Sequence, residues 1–163
     1  MSVAELAPLL QPSRVTASFT GGSPNTLWVT MARARLGEVQ NFSPDLLNDI
    51  GALHGALRDS GMMWPSAGIP QPVDYFVLRS AHPDYFSLGG DLNHFRECIR
   101  CNNRRALRDY SMQCADMVCD WAEQSTRTTT ISLVQGRALG GGFEAALASD
   151  YLIAEDQSEF CFP

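Results

Sequence analysis

The chain has 163 residues, of which 45% are hydrophobic and 18% are charged, a composition typical of one globular domain with a sizeable core. Its formal net charge of −6 argues against a general nucleic-acid binder, which is normally basic. No apolar run approaches the ~18 residues of a membrane span, and the N-terminal "MSVAELAPLLQPSR" lacks the basic start and long apolar stretch of a signal peptide. We therefore expect a cytoplasmic protein that binds neither nucleic acid nor membrane, with its five cysteines reduced.

The first half of the chain predicts a lead-in, a strand, a helix and a loop. Residues 1–26 are rich in Ser, Pro, Gly and Thr, which is typical of a flexible N-terminal segment. Leu27–Met31 is short and apolar and predicts a strand. Ser43 before Pro44 is a favourable helix start, and apolar residues then recur at helical spacing. The Gly- and Pro-punctuated stretch 61–72 predicts a loop.

The second half alternates strands with helices, which predicts an α/β core over residues 27–163 with parallel strand pairing. The continuous apolar run Val73–Ala81 is typical of a buried strand, and Asp91 is placed to open a helix after the loop that follows. The remaining predicted elements are a helix from Arg104 with Leu107, Tyr110, Cys114, Met117 and Trp121 on one face, a strand in "TTTISLVQG", a small-residue helix in "GGFEAALAS" and a strand in "YLIAED".

A buried strand, a glycine-rich turn and a helix start follow one another twice, in "FSLGGDL" and in "LVQGRALGGGFEAAL". Glycine allows the backbone to approach a ligand closely, and the N–H groups at a helix start lack internal acceptors and carry partial positive charge. Two such turns facing each other present two N–H groups to one oxygen, which is an oxyanion hole. Glu144, three residues after Gly141, is then placed to transfer a proton beside the polarised carbonyl.

Two other interpretations of the second turn remain open. The positions Gly140, Gly142 and Ala145 match the dinucleotide-binding pattern G-x-G-x-x-[GA], and Asp156 would be its ribose-binding acid. The predicted strand ends well before Gly140, however, whereas that motif turns directly off its strand, and Glu144 would place negative charge where a pyrophosphate needs positive potential. The second interpretation is a small-residue helix packed close to a sheet, with Glu144 solvated.

The segments "FSLGGDL" and "ISLVQGRALGGGFEAALASDYLIAED" resemble the two signature segments of the enoyl-CoA hydratase/isomerase (crotonase) superfamily. The resemblance spans roughly Leu27 to the C-terminus. It implies the N-terminal portion of a crotonase-like fold, a spiral of ββα units that stabilises thioester enolates. It also implies that the oxyanion-hole N–H donors are Leu88 and Gly141 and that Glu144 is the catalytic acid/base. The neighbouring residues implied to bind substrate are Ser87, Gly89, Gly90 and Gly140.

Within the superfamily, "LGGDL", "FRECIR", "LRDYSMQCADMV" and "VQGRALGGGFEAAL" resemble diffusible signal factor synthases. This implies an enzyme that dehydrates 3-hydroxyacyl thioesters on acyl carrier protein and hydrolyses the thioester, which releases a cis-2-unsaturated fatty acid signal. It implies no cofactor besides the carrier-protein or CoA thioester itself, and a homotrimer or hexamer at full length. The alternatives are an enoyl-CoA hydratase or isomerase, and a non-catalytic crotonase-like module that binds acyl thioesters or assembles with full-length subunits.

Hydratases of this superfamily use a second glutamate, placed after the next strand and commonly preceded by proline. This sequence ends "EFCFP" at Pro163, and Glu155, Asp156 and Glu159 do not fit that position. From the resemblance we therefore expect a truncated form or fragment, without the C-terminal half that builds the trimer and closes the acyl pocket. The missing second glutamate favours the non-catalytic module for this chain.

The sequence predicts no metal site. Ligand spacing is absent among the three histidines, His54, His82 and His94. Two cysteine pairs loosely resemble zinc spacing, but the second pair lies within a predicted helix, whose geometry directs its two thiols apart; the pairs are Cys98 with Cys101 and Cys114 with Cys119.

One basic cluster stands out in the acidic chain. It is either a solvated helix face or a surface that receives an acidic carrier protein or its phosphopantetheine group. Its members are Arg96, Arg100, Arg104, Arg105 and Arg108.

Overall fold

A five-stranded sheet forms the centre of the structure, a computed structural model that describes residues 14–123 and 127–162. The strands are β1 Val15–Thr20, β2 Thr26–Met31, β3 Met63–Ser66, β4 Ile69–Pro72, β5 Tyr75–Ser80, β6 Tyr85–Ser87, β7 Thr129–Val134, β8 Arg137–Leu139, β9 Tyr151–Ala154 and β10 Glu159–Cys161. The helices are α1 Pro44–Asp59, α2 Leu92–Arg100, α3 Arg104–Ala122 and α4 Gly141–Leu147. Over these described ranges, none of the helices has the length and apolar character to cross a membrane.

The central sheet has the strand order β1-β2-β5-β7-β9. β1 pairs antiparallel with β2, and the other pairs are parallel. The strands predicted to end near Ala81 and Val134 are therefore parallel neighbours, as expected. A second sheet, of order β10-β8-β6, is parallel in both of its pairs. Because β6 follows β5, β8 follows β7 and β10 follows β9, the chain enters the second sheet three times from the same edge of the first.

The hydrophobic core lies between the central sheet and the helices α1 and α3. Ser43 caps α1 as predicted, since its Oγ accepts a 3.3 Å hydrogen bond from the Leu46 amide. Leu53 of α1, Phe76 of β5 and Trp121 of α3 are all buried. This packing fixes α3 against the sheet, and α3 borders the candidate site described below.

The segment 1–26 is not a lead-in throughout, because residues 15–20 form the edge strand β1. This strand pairs with β2 along its whole length. Several of its residues are polar and reach solvent, as an edge strand allows, so the Ser- and Thr-rich composition concealed a strand. Residues 1–13 of that prediction lie outside the described part of the chain.

The Gly- and Pro-rich stretch 61–72 contains a hairpin, β3 with β4, rather than a loop. Its turn is formed by Ala67 and Gly68, with φ of 50° and 79°, which is a two-residue hairpin turn with positive φ. The prolines that suggested a loop stand in a two-stranded ribbon, where a missing N–H costs little. The short strand β6 also lies in a predicted loop, because three residues carry too little pattern to be detected.

His54 of α1 is 3% exposed and lies inside the core. Its ring stacks on Trp121 with 5.4 Å between centroids and meets Phe76 edge-on at 5.5 Å. Neither ring nitrogen has a hydrogen-bond partner in the described structure. Burial lowers the pKa of His54 from 6.5 to about 4, against a smaller opposing effect of the Asp120 charge. The imidazole is therefore neutral near pH 7 and belongs to the core.

Stability is expected to fall as the pH drops from ~6.5 to ~4, because the unfolded chain protonates His54 before the folded protein does. The lowered pKa corresponds to a loss of about 3 kcal/mol across this range. The stability is fully present above pH ~6.5. Urea unfolding at several pH values measures it, with His54→Leu expected to flatten this part of the pH profile. A His82→Leu control should keep the fall, and an unchanged profile in His54→Leu would refute the assignment.

Candidate functional site

The two glycine-rich turns meet where β6 and β8 end. These strands are parallel neighbours, with Ser87 opposite Ala138, so their carboxyl ends lie at the same edge of the small sheet. The turn after β6 leads through Gly89 and Gly90 into α2, and the turn after β8 leads through Gly140 into α4. The structure thus brings together the two segments that the sequence singled out, although they are about fifty residues apart.

Glycine is required where the turns touch. Gly89 has φ of +87°, and a Cβ atom there would lie 2.8 Å from the Leu139 carbonyl oxygen and 2.9 Å from the Gly141 nitrogen. A Cβ atom on Gly142 would overlap the Ser87 carbonyl group. Because a side chain at either position would force the turns apart, these glycines allow the two backbones to approach each other closely.

The amides of Gly90 and Gly141 lie next to each other at this meeting point. The position of a Cβ atom built on Gly141 is 3.6 Å from the Gly90 nitrogen and 3.8 Å from Glu144 Oε2. Gly141 is the first residue of α4, so its N–H has no acceptor within the helix. In the described part of the chain, neither amide donates a hydrogen bond to another group. Two available N–H groups and one carboxylate therefore border the same small space.

The structure corrects the assignment of Leu88 as a donor. The Leu88 amide donates a 2.7 Å hydrogen bond to the Gln40 carbonyl oxygen, so this N–H is already engaged. The available N–H on that turn belongs to Gly90, which the resemblance had placed only among the substrate-binding residues. No signal within the turn distinguishes the two amides, because the acceptor on Gln40 comes from a distant segment.

Two other predicted substrate-binding residues make hydrogen bonds within the turns. Ser87 is 1% exposed, and its hydroxyl accepts a 3.2 Å hydrogen bond from the Gly89 amide. The Gly140 amide donates to the Cys161 carbonyl oxygen at 2.8 Å, and the Gly140 carbonyl oxygen accepts from the Glu144 amide at 3.0 Å. Ser87 and Gly140 therefore hold the turns in shape, and their contact with substrate stays a prediction.

Glu144 is exposed on α4, a helix that contacts α3. Burial and, to a smaller extent, the negative charge of Glu144 raise the pKa of the half-buried Cys114 thiol of α3, against an opposing effect of the Tyr110 hydroxyl. One turn before Cys114, the Tyr110 hydroxyl donates to the Phe42 carbonyl oxygen at 2.7 Å. The helical pattern placed Tyr110 on the buried face of α3 but carried no sign of this hydrogen bond.

The basic cluster is partly neutralised by neighbouring acids. Arg100 Nη2 lies 2.6 Å from Glu97 Oε1, and Arg105 Nε lies 3.6 Å from Asp109 Oδ2. All four side chains are well exposed. Because these side chains are exposed, the cluster is a solvent-facing surface of α2 and α3. Exposed ion pairs of this kind contribute little to the stability of the fold.

The cysteines have ordinary hydrogen-bonding neighbours. Cys98 Sγ lies 3.5 Å from His94 Nε2, and Cys101 Sγ lies 3.2 Å from Glu97 Oε1. Across the described residues no group of three or more metal-ligating side chains comes together.

The dinucleotide interpretation of the second turn does not fit the packing. β8 ends at Leu139, directly before Gly140, so the distance between strand and turn does not argue against it. In the dinucleotide motif, however, the second glycine leaves room for a pyrophosphate. Here Gly142 is closed off by the Ser87 carbonyl group.

The family described as enoyl-CoA hydratase/isomerase matches residues 71–163 of this chain. Among curated proteins, the chain is 30% identical over 83 residues to the fatty acid oxidation complex subunit alpha of Aliivibrio fischeri, covering 51% of this chain and 11% of that protein. The corresponding subunit of Vibrio parahaemolyticus is 29% identical over 80 residues, covering 49% of this chain and 11% of that protein.

Solved structures with the same fold cover almost all of the chain. DspI of Pseudomonas aeruginosa superposes with a TM-score of 0.69 at 23% identity, covering 92% of this chain and 52% of that one. An enoyl-CoA hydratase of Bacillus anthracis gives a TM-score of 0.70 at 18% identity, covering 91% and 50%. The expected crotonase-like α/β fold is thereby confirmed, and the chain spans about half the length of these structures.

Proposed function

Since the chain belongs to the enoyl-CoA hydratase/isomerase family, we propose that its glycine turns form an oxyanion hole for an acyl thioester. The N–H groups of Gly90 and Gly141 bind the thioester carbonyl oxygen and stabilise the enolate that forms when a proton leaves C2. The observation that carries this proposal is that the Gly90 nitrogen and the Glu144 carboxylate both lie within 3.8 Å of the Cβ position of Gly141, whose own amide starts α4. Donors held in advance at such a point are worth more than donors in water, because they need no reorganisation.

In the proposed reaction Glu144 transfers the protons. In the dehydration of a 3-hydroxyacyl thioester, the C2–H bond breaks and its electron pair forms the C2=C3 double bond. The C3–O bond breaks, and the hydroxyl group leaves with one proton as water. Glu144 lies within 3.8 Å of the Cβ position on Gly141, so its carboxylate borders the space where C2 and C3 would lie beside the bound carbonyl.

We further propose 3-hydroxyacyl thioesters on acyl carrier protein as the substrates, with thioester hydrolysis releasing a cis-2-unsaturated fatty acid. The sequence resemblance to diffusible signal factor synthases supports this substrate, and so does the exposed basic surface of α2 and α3, which suits an acidic carrier. Assembly as a homotrimer or hexamer is part of the same proposal.

An enoyl-CoA hydratase is the second candidate, and a specific observation favours it. The curated relatives are subunits of fatty acid oxidation complexes, and their match supports chemistry on CoA thioesters. The third candidate is the non-catalytic module, which would bind acyl thioesters without turning them over.

Incubation with 3-hydroxydecanoyl carrier protein and, separately, with crotonyl-CoA tests the three candidates. Release of a free unsaturated acid from the carrier supports the first. Turnover of crotonyl-CoA alone would replace it with the hydratase. Binding of both thioesters without turnover would indicate the module, and no binding would refute the oxyanion hole itself.

Replacing Arg100, Arg104 and Arg105 together with Glu is expected to lower activity on the carrier-protein substrate several-fold. The reversed charges repel an acidic carrier, and at ~0.15 M salt this acts within about 8 Å, mainly on association. Activity on a short acyl-CoA should change less. Stopped-flow association and kcat/KM measure the effect, and the Lys variant of the same three positions keeps the charge as a control. Equal losses on both substrates would make the surface structural.

A further inference from the structure

The Tyr110 hydroxyl joins three segments of the chain behind the glycine turns. It donates a 2.7 Å hydrogen bond to the Phe42 carbonyl oxygen and accepts a 2.6 Å hydrogen bond from the Asp91 amide. The residue is 2% exposed, and its ring meets Phe95 edge-on at 5.1 Å. Burial raises the pKa of the Tyr110 hydroxyl, so it keeps the proton that it donates to Phe42.

Tyr110 and Phe42 together hold both peptide groups that flank the Gly90 Cα atom. On one side, the Gly89 carbonyl oxygen accepts a 2.8 Å hydrogen bond from the Phe42 amide. A peptide group is planar and trans, so holding this carbonyl points the Gly90 N–H in the opposite direction. On the other side, the Asp91 amide is held by Tyr110 itself. Tyr110 thus acts on one peptide directly and on the other through Phe42.

The hydroxyl also lies close enough to limit movement of Gly90. A Cβ atom built on Gly90 would lie 3.6 Å from Tyr110 Oη and 3.3 Å from the Phe95 ring. No other side-chain hydrogen bond reaches the backbone of Gly90 or Asp91 in the described structure. A phenylalanine at position 110 would fill the same space and remove the hydroxyl to which the Asp91 amide donates and which donates to the Phe42 carbonyl oxygen.

We infer that Tyr110 is a positioning residue for the oxyanion hole, setting the direction of the Gly90 N–H through its bonds to Asp91 and Phe42. The inference rests on the proposed function, because it assigns Tyr110 a role in that same site. The two donors are therefore oriented in different ways. The start of α4 directs the Gly141 N–H, whereas a side chain of α3 directs the Gly90 N–H.

The test uses the CoA thioester of para-dimethylaminocinnamic acid, whose absorption band moves to longer wavelength when its carbonyl group is polarised. The wild-type protein should bind it with a red shift, and Tyr110→Phe should bind it with a clearly smaller shift at saturation. Tyr75→Phe, which removes a hydroxyl at the start of β5, is the matched control and should keep the full shift. With a substrate that turns over, Tyr110→Phe should lose ~10-fold or more in kcat, less than the ~10²–10³ lost when a donor is removed.

The outcomes separate this inference from the proposed function. Equal shifts in the wild type and in Tyr110→Phe overturn the inference alone, even if the variant melts at a lower temperature. Binding without any shift in the wild type overturns the oxyanion hole and the inference with it. Gly90→Ala disturbs the contact between Gly90 and Tyr110 without changing Tyr110, because its methyl group would lie 3.3 Å from the Phe95 ring and 3.6 Å from Tyr110 Oη. If Tyr110→Phe does not fold, a full shift in Gly90→Ala overturns the inference, and a reduced shift supports it.

Discussion

Glu144→Gln is expected to slow thioester turnover by ~10²–10⁴-fold, the usual contribution of a general acid/base group. Glutamine keeps the shape and polarity of the side chain but cannot exchange a proton with the substrate. Because Glu144 is exposed on α4, the change should leave folding intact. The dissociation constant of the thioester should stay within a few-fold of the wild-type value, since binding depends on the amides. Steady-state kcat and equilibrium titration measure the two effects separately.

Glu155→Gln provides the matched control for this prediction. Glu155 is also an exposed glutamate and follows β9, and its replacement should leave kcat unchanged. A Glu144→Gln protein with full activity would remove Glu144 from the mechanism. Loss of thioester binding together with activity would make Glu144 a binding residue instead.

Gly141→Pro is expected to cost ~10²–10³ in rate, the effect of one lost oxyanion donor. Proline removes the N–H and is tolerated at the first position of a helix, which is the position that Gly141 occupies in α4. The variant should keep its helix content in circular dichroism. It should also lose the red shift of the cinnamoyl thioester, because the carbonyl group would be polarised by one amide only.

Gly141→Ala is the control that keeps the N–H. A Cβ atom at this position would make ordinary contacts, 3.6 Å from the Gly90 nitrogen and 3.7 Å from the Gly89 Cα. The same Cβ position borders Glu144 and the two amides, so Gly141→Ala measures the effect of crowding with the N–H kept, and the loss in Gly141→Pro should exceed it. Wild-type turnover by a well-folded Gly141→Pro protein would contradict the donor role, and equal losses in both variants would point to crowding rather than to the N–H.

The sequence predicted the larger elements because their causes are local. Ser43 and Pro44 mark the start of α1, Asp91 caps α2, and the apolar run of β5 indicates a buried strand. It missed β1 and the β3–β4 hairpin because polar and proline residues at sheet edges resemble loop composition.

For the candidate site, the sequence by itself determined which two turns were expected to meet and that Glu144 stands beside them. Glycines at fixed spacing and a helix start are local features, so they can be read without knowing the fold. Only the tertiary structure decided which amide is available. Leu88 donates to Gln40, 48 residues before it in the chain, and the Tyr110 hydroxyl bonds to Phe42 across 68 residues. The direction of a peptide N–H depends on where its neighbours find partners, and here those partners come from segments that meet only after folding.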